Sequence, residues 1–462
     1  MNQKKVKEQG KQQEKKEQIQ NYLDQICGQV RAREVHNDLR EEIGNHLEEM
    51  TYDKEQEGFT TEEAATYAIE QMGDPADLGK RMHNIHRHRM HWGLLAGVVG
   101  MALIGMVLTW IYTNSLLDLG NEYSSVHLLY TSMGMLAMLF CLFFDYRKWI
   151  KSAWWVYILM NVLLWITPVI ADSYGSLNRM LILPFGFSID VTTSALWILP
   201  LAIGGIVISH FRSGLNVQMI FTYVGLVALP MVLIYQISDW VRLSLFGCIS
   251  LLLFGWITRK WLYTLITACF CGAAAAVLLL VTDQYSRFER LSVVFNLDQD
   301  SKGMEFMNNA IIDIVKTAGW WGNGTNIPLG STLKYLYLSY PGVMLIDVFG
   351  WSACALFIVG IVWFVKTLFK ILPRIQEKFG SMIVLSVTVT LALQLSYSVA
   401  IITGMVPIMS IEFPLIGYGS HVMLEYAMIG LLLGVYRRKD TVSLSRNYTR
   451  THTGKSMTLS ER

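Results

Sequence analysis

From residue 92 to residue 436 the chain reads as long apolar runs separated by polar breaks. The residues before it carry apolar positions at three- and four-residue spacing instead. That spacing marks amphipathic helices. Ile19, Tyr22, Leu23, Ile26 and Val30 predict a first helix, and Val35, Leu39, Ile43, Leu47 and Met50 a second, stopped by Gly58. Thr60 and Glu63 form the capping-box pair of a third helix carrying Ala64, Ala68, Ile69 and Met72, and Gly73 ends it. Asp74-Pro75 supplies the N-cap and first-turn proline of a short fourth. Further on, a membrane-spanning helix takes about 20 mostly apolar residues. Ten runs qualify, at 92–113, 127–144, 153–170, 192–210, 218–236, 240–257, 261–282, 343–366, 381–403 and 418–436. The expected architecture is all-α. It has a small helical domain over residues 1–90, a polytopic ten-helix membrane domain over 91–440 and a basic tail over 441–462.

Charge orients this plan. The chain is 53% hydrophobic and 16% charged, and half of its 36 acidic residues fall in the first 91. Basic residues cluster at every second crossing: before Trp92, then at Arg147/Lys148/Lys151, His210/Arg212, Arg259/Lys260, Lys366/Lys370/Arg374/Lys378 and Arg437/Arg438/Lys439. The positive-inside rule then puts both termini in the cytosol. The one long connection, residues 283–342, lies outside, between the seventh and eighth spans. The start of the chain is charged and has no apolar core of the signal-peptide kind. Trp92, Trp149, Trp154 and Trp261 sit at span ends as interfacial anchors. His83, His86, His88 and His91 are interleaved with Arg81, Arg87 and Arg89, so they read as a basic collar facing anionic lipid and not as a metal site. Five of the six cysteines lie within apolar runs, which implies packing and no disulfide framework. No phosphate-binding glycine loop and no H-E-x-x-H occurs, and nothing points to nucleic acid beyond the basic clusters already explained. Charges within or beside spans draw notice. These are Asp190 and Asp239 near outer ends (Asp239 placed to pair with Arg242 across one turn), Asp347 a turn inside the eighth span, and Glu425 deeper in the tenth. Helix pairing and function leave the same signature at such positions.

Two stretches carry a specific resemblance. In the long connection, Arg287-Phe288 and Phe295-Asn296 are followed by Asp300, Gly303 and the run Gly319-Trp-Trp-Gly322-Asn-Gly324. After the ninth span comes Gly404-Met-Val-Pro407, then Glu412-Phe-Pro414 and Tyr418-Gly419-Ser420. Together they resemble the arginine, F-x-N-P-x-x-D-x-x-G, G-G-x-x-G-x-G and G-L-x-P-V-T-G-I-P-L-P-F-I-S-Y-G-G elements of the SEDS family, the FtsW/RodA/SpoVE cell-wall polymerases. Gly186-Phe187-Ser188-Ile189-Asp190-Val191-Thr192 is a weaker echo of the family's G-x-F-x-I-Q-P-S-E. The likeness covers about residues 92–440. Separately, residues 20–85 resemble the helical prefix domain found before bacterial permeases, which implies a cytosolic regulatory or interaction role.

The SEDS resemblance implies a multi-pass protein of a bacterial plasma membrane. Such a protein polymerises glycan strands from lipid II, an undecaprenyl-linked precursor, at the outer membrane face, in elongation, division or sporulation. It implies a class B penicillin-binding protein as partner and leaves room for a divalent cation, magnesium or manganese. Arg287, Asn296, Gly303, Gly322, Gly324, Pro407, Pro414, Tyr418 and Gly419 become candidate substrate-binding residues. The family's key acid is the aspartate leading into the eighth span. Depending on the alignment its place falls on Ser339, Tyr340, Pro341 or Gly342, none of them a carboxylate. A serine or tyrosine of ordinary pKa is a poor base near neutral pH. Asp347 and Asp300 are therefore the candidate catalytic acids, and Asp298, Glu305 and Asp313 read as solvated charges. Three readings stay open: a divergent glycosyltransferase, a non-catalytic paralogue that binds lipid II or a partner, and a transporter of lipid-linked precursors working through Glu425.

Overall fold

A computed structural model describes residues 2–87, 89–113, 122–174, 179–182, 188–211, 217–237, 239–269, 272, 304–324, 340–403, 406 and 411–440. The candidates Arg287, Asn296, Asp300, Gly303, Ser339 and Pro407 lie outside them, as do most of the expected seventh span and the tail from 441. The chain forms two units, residues 1–90 with 436–462, and residues 91–435.

The first unit contains α1 (Asn2–Gln29), α2 (His36–Gln56), α3 (Thr61–Met72) and α4 (Pro75–Ile85). Their apolar stripes close on Ile26 and Leu47, both fully buried, with Tyr22, Val30, Val35 and Leu39 around them. Burying one such aliphatic side chain is worth about 1.5–3 kcal/mol. Thr60 and Glu63 make the reciprocal capping box, and the Asp74 carboxylate accepts the Asp77 N–H at 3.1 Å. The histidines have backbone partners. His83 Nδ1 accepts from the Arg31 N–H at 3.4 Å, and His86 Nδ1 lies 2.9 Å from the Asp440 carbonyl oxygen.

In the second unit, α5 (Trp92–Ile111), α6 (Glu122–Phe143) and α7 (Trp149–Tyr174) precede a two-stranded antiparallel ribbon. In it β1 (Met180–Ile182) pairs with β2 (Ser188–Asp190), Met180 opposite Asp190. The apolar pattern gave no sign of this ribbon. Then come α8 (Val191–His210), α9 (Val217–Gln236), α10 (Trp240–Thr258), α11 (Met304–Thr317), α12 (Pro341–Ile371), α13 (Lys378–Ile402) and α14 (His421–Arg437). Eight helices among the described residues are long and apolar enough to cross a membrane. The expected tenth span is α14, of 17 residues, and residues 261–269 of the expected seventh are helical. α8 and α13 are buried along most of their length. They approach so closely that a Cβ on Gly204 would lie 1.7 Å from Met382 Sδ, the small-residue contact on which helix association in lipid depends.

The expected eighth span is not one continuous helix. Gly350 has φ 80° inside α12, which breaks the ladder there. In an unbroken helix the amides of Trp351 and Ser352 would bond to the carbonyls of Asp347 and Val348. All four groups instead find partners in residues 319–324. The N–H groups of Asn323 and Gly324 donate to Asp347 O (2.7 Å) and Val348 O (3.2 Å). The amides of Trp351 and Ser352 donate to Gly319 O (3.1 Å) and Trp320 O (3.3 Å). The Trp351 indole N–H adds a bond to Val315 O of α11 at 3.1 Å. Backbone groups buried away from water have to be paired, so a break is tolerated where protein caps it.

This contact requires glycine at position 322, where φ is 79° and a Cβ would lie 2.4 Å from Val348 O. Gly322→Ala is expected to cost about 1–3 kcal/mol. It should lower the melting temperature of the purified protein, whereas Gly100→Ala, with open space around its Cβ, should not. Equal melting temperatures would mean that the break does not depend on this loop.

Candidate functional site

The N-terminal ends of α8 and α10, the β1–β2 ribbon and residues 411–420 meet around one guanidinium. Arg242, in the first turn of α10, has a side chain only 2% exposed. Its Nη1 donates to Asp239 Oδ2 at 2.5 Å, and its Nη2 donates to Asp190 Oδ2 at 3.0 Å and to Glu412 Oε2 at 3.1 Å. A charge that far from water persists only when paired. Both aspartates are also N-caps. Asp190 Oδ1 accepts the Thr193 N–H of α8 at 2.9 Å, and Asp239 Oδ1 accepts the Arg242 N–H of α10 at 3.3 Å. The Thr192 hydroxyl bridges them, 2.8 Å from Asp190 and 3.3 Å from Asp239.

Arg179, just before β1, forms the rim. Its Nε lies 3.4 Å from Asp190 Oδ2 and its Nη2 3.6 Å from Glu412 Oε1. The Arg179 and Glu412 side chains are 16% and 18% exposed, so this ion pair is the part of the cluster that water and solutes reach. Two guanidiniums face three carboxylates, which leaves formal negative charge. Each carboxylate is turned onto an arginine, and among the described residues no three His, Cys, Asp or Glu side chains are grouped to hold a metal. Burial by itself would raise the Asp190 carboxyl, but Arg242, Arg179 and the hydrogen bonds from Thr193 and Thr192 outweigh it and hold it below the usual carboxylate range.

Of the four positions onto which the resemblance would map the family's aspartate, Tyr340, Pro341 and Gly342 are among the described residues. Tyr340, the N-cap residue of α12, is buried with Glu412, Tyr397, Arg179 and Arg242 as electrostatic neighbours. Burial and the Glu412 charge push its phenol upward, away from service as a base. Pro341 and Gly342 are buried too, and a Cβ on Gly342 would lie 2.1 Å from Ile402 Cδ1. These three residues are enclosed by protein, and Glu412, from a segment some seventy residues further on, is an electrostatic neighbour of Tyr340.

Residues 411–420 are held by α14. Leu415 adopts φ 68°, an unusual conformation for a branched residue. Glu425 Oε2 accepts its N–H at 2.6 Å, and the Tyr426 hydroxyl donates to its carbonyl at 2.8 Å. Glu425 therefore anchors the turn that carries Glu412. Pro414 is buried in the same turn, and Tyr418 packs on His127 and Tyr123 at ring separations of 6.0 and 5.8 Å. Gly419 leaves space for His421, whose Nδ1 a Cβ there would approach to 2.7 Å. So Pro414, Tyr418 and Gly419 share one segment with Glu412. Gly322, Gly324 and Asp347 come together instead at the helix break. Asp347 is 2% exposed, and its Oδ1 accepts from Asn323 Nδ2 at 2.8 Å. Sequence reasoning noticed Asp190, Asp239 and Arg242 at span ends and expected Asp239 to pair with Arg242, as the structure shows, but it did not join Asp190 to that pair and it missed Arg179. Glu412 was visible only as an acid standing where the family pattern has proline.

Comparison with known proteins fits this architecture. The model of the FtsW/RodA/SpoVE family, described as cell cycle protein, matches residues 89–441. No curated protein sequence matches the chain significantly. Among solved structures, a peptidoglycan synthase complex that coordinates polymerization and crosslinking is similar to it, with a TM-score of 0.64 at 15% identity, covering 76% of this chain and 98% of that one. The rod-shape-determining protein RodA of Thermus thermophilus is similar with a TM-score of 0.55 at 14% identity, over 76% of this chain and 97% of that one. A variant of the same RodA gives 0.56 at 14% identity, over 76% and 98%.

The lowered carboxyl of Asp190 has a consequence for stability. A group whose folded-state pKa is depressed contributes stability that is present above its ordinary pKa of about 4 and lost as pH falls through the folded value. The melting temperature of the purified protein should therefore drop on acidification below about pH 4, and Asp190→Asn should flatten that dependence. An unchanged acid slope in the variant would contradict the pairing. The family match over residues 89–441, on a helical membrane fold shared with RodA, shows that the chain belongs to the FtsW/RodA/SpoVE family, the SEDS proteins.

Proposed function

We propose that the chain takes lipid II at the outer face of a bacterial plasma membrane and polymerises glycan strands from it, with Glu412 supplying the carboxylate missing from residues 339–342. The observation that carries this reading is the placement of Glu412. It is the most exposed carboxylate of the cluster, is steered by Arg179 and Arg242, and lies among the electrostatic neighbours of Tyr340. In the reaction, an acceptor hydroxyl oxygen attacks the anomeric carbon of the donor sugar. The bond from that carbon to the diphosphate oxygen breaks, undecaprenyl diphosphate departs, and Glu412 takes the hydroxyl proton. A positioned carboxylate in this role contributes about 100- to 10,000-fold. Arg179 holds Glu412 at the rim, while the net negative charge of the cluster suits a proton acceptor better than a diphosphate site. The basic span ends support cytosolic termini. The likeness to a complex of polymerization and crosslinking supports a class B penicillin-binding protein as partner.

A second reading has its own support. Tyr340, Pro341 and Gly342 are buried and carry no acid, as a non-catalytic paralogue that binds lipid II or a partner would allow. The two are separated by incubating the full-length protein in lipid with lipid II and resolving the products on a gel. The polymerase reading expects glycan polymer from the wild type, about 100-fold less from Glu412→Gln, and substantial activity in Glu412→Asp. Asp300→Ala and Asp347→Ala tested in parallel report on the other two carboxylates. Binding of lipid II without polymer would favour the paralogue. Full polymerisation by Glu412→Gln would remove Glu412 from the site.

A further inference from the structure

α12 changes character at Gly350. From Pro341 to Val348 every residue is buried, as in a helix enclosed by protein. Beyond the break, burial is confined to Cys354, Ile361, Phe364, Leu368 and Ile371, one stripe at three-, four- and seven-residue spacing. The other faces expose Leu356, Val359, Val362, Trp363 and Phe369, the pattern of a helix turned toward lipid. Residues 351–371 extend about 31 Å at 1.5 Å per residue, close to the roughly 30 Å of a hydrocarbon core. Lys366, Lys370 and Arg374 mark the far end of that length. The near end is therefore the opposite membrane interface, and it coincides with the helix break.

Two large indoles sit at that level. Trp320 and Trp321 are 72% and 85% exposed. Their backbone cannot drift along the membrane normal, because Gly319 O and Trp320 O accept from Trp351 and Ser352, and Asn323 and Gly324 donate to Asp347 and Val348. The preceding helix α11 buries Ile311 and exposes Asp313, Lys316 and Thr317, and Ala318 just after it is buried, so a wet face adjoins the tryptophans. Tryptophan prefers the headgroup–acyl boundary, where its apolar ring and its N–H are both satisfied.

We infer that Trp320 and Trp321 form a lipid anchor that seats the end of the external connection at the membrane interface, opposite the basic end of α12, with the break at Gly350 fixing its depth. In this role the glycines of the 319–324 run shape a membrane-facing turn and do not contact the sugar. The inference is independent of whether the chain polymerises glycan.

The test is fluorescence quenching in lipid nanodiscs whose acyl chains carry bromine at shallow or at deep positions. The signal is the difference between wild type and Trp320→Phe/Trp321→Phe, which removes the contribution of the other twelve of the chain's 14 tryptophans. The difference emission should be blue-shifted from that of indole in water. It should be quenched more by shallow than by deep bromine, and little by acrylamide in the aqueous phase. The single variants Trp320→Phe and Trp321→Phe give the same measurement should the double variant not fold. Strong acrylamide quenching would place the pair in water, and no quenching by either agent would place it under protein. Either result overturns the anchor.

Discussion

The arrangement of the charge cluster depends on one buried guanidinium. Arg242 has to be paired because it lies almost wholly out of water, and the partners that pair it come from three places in the chain: Asp239 on its own helix, Asp190 at the head of α8, and Glu412 before α14. Removing Arg242 would leave its buried carboxylate partners without that counter-charge, which costs about 3–5 kcal/mol. The capping of α8 and α10, the seat of the β1–β2 ribbon through Arg179 and the orientation of Glu412 are therefore a single electrostatic solution. Glu425 and Tyr426 complete it from below by fixing the strained turn at Leu415.

A second constraint is steric. A break in a buried stretch of helix frees amides and carbonyls that must find partners away from water. The break at Gly350 is matched, group for group, by residues 319–324, and this is possible only because Gly322 and Gly350 bring backbone to within a distance that a Cβ would forbid. Residues 319–324 are thereby tied to α12, the helix whose N-cap is Tyr340 beside the charge cluster.

Much of this was legible in the sequence, and what was not has a physical reason. Apolar run length located the helices from Trp92 to Arg437, because burial in lipid demands about 20 apolar residues whatever the tertiary fold. The capping box at Thr60 and Glu63 was readable because it is local. The motif glycines and Tyr418 identified the family. The charge cluster was not readable, since Arg179, Asp190, Arg242 and Glu412 are far apart in the chain and only packing joins them. The break in α12 hid inside an uninterrupted apolar run, where glycine is common in membrane helices and gives no warning. Asp347 looked like a spare catalytic acid from its place at the head of a span. Its side chain accepts a hydrogen bond from Asn323, a contact that follows from the break and from nothing in the local sequence. Glu412 stood out only as a mismatch to the family pattern, and the structure gives that mismatch a partner set.

If the cluster is the working end of the protein, the sugar of its precursor must come to Glu412. Photo-crosslinking with a lipid II analogue that carries a diazirine on the sugar, read by mass spectrometry of the full-length protein in lipid, measures this directly. Adducts on Arg179, Tyr340 or Glu412, competed away by unmodified lipid II, are the predicted result. Competed adducts confined to the neighbourhood of Glu425 or of Trp320 and Trp321, with none at the cluster, would contradict the account.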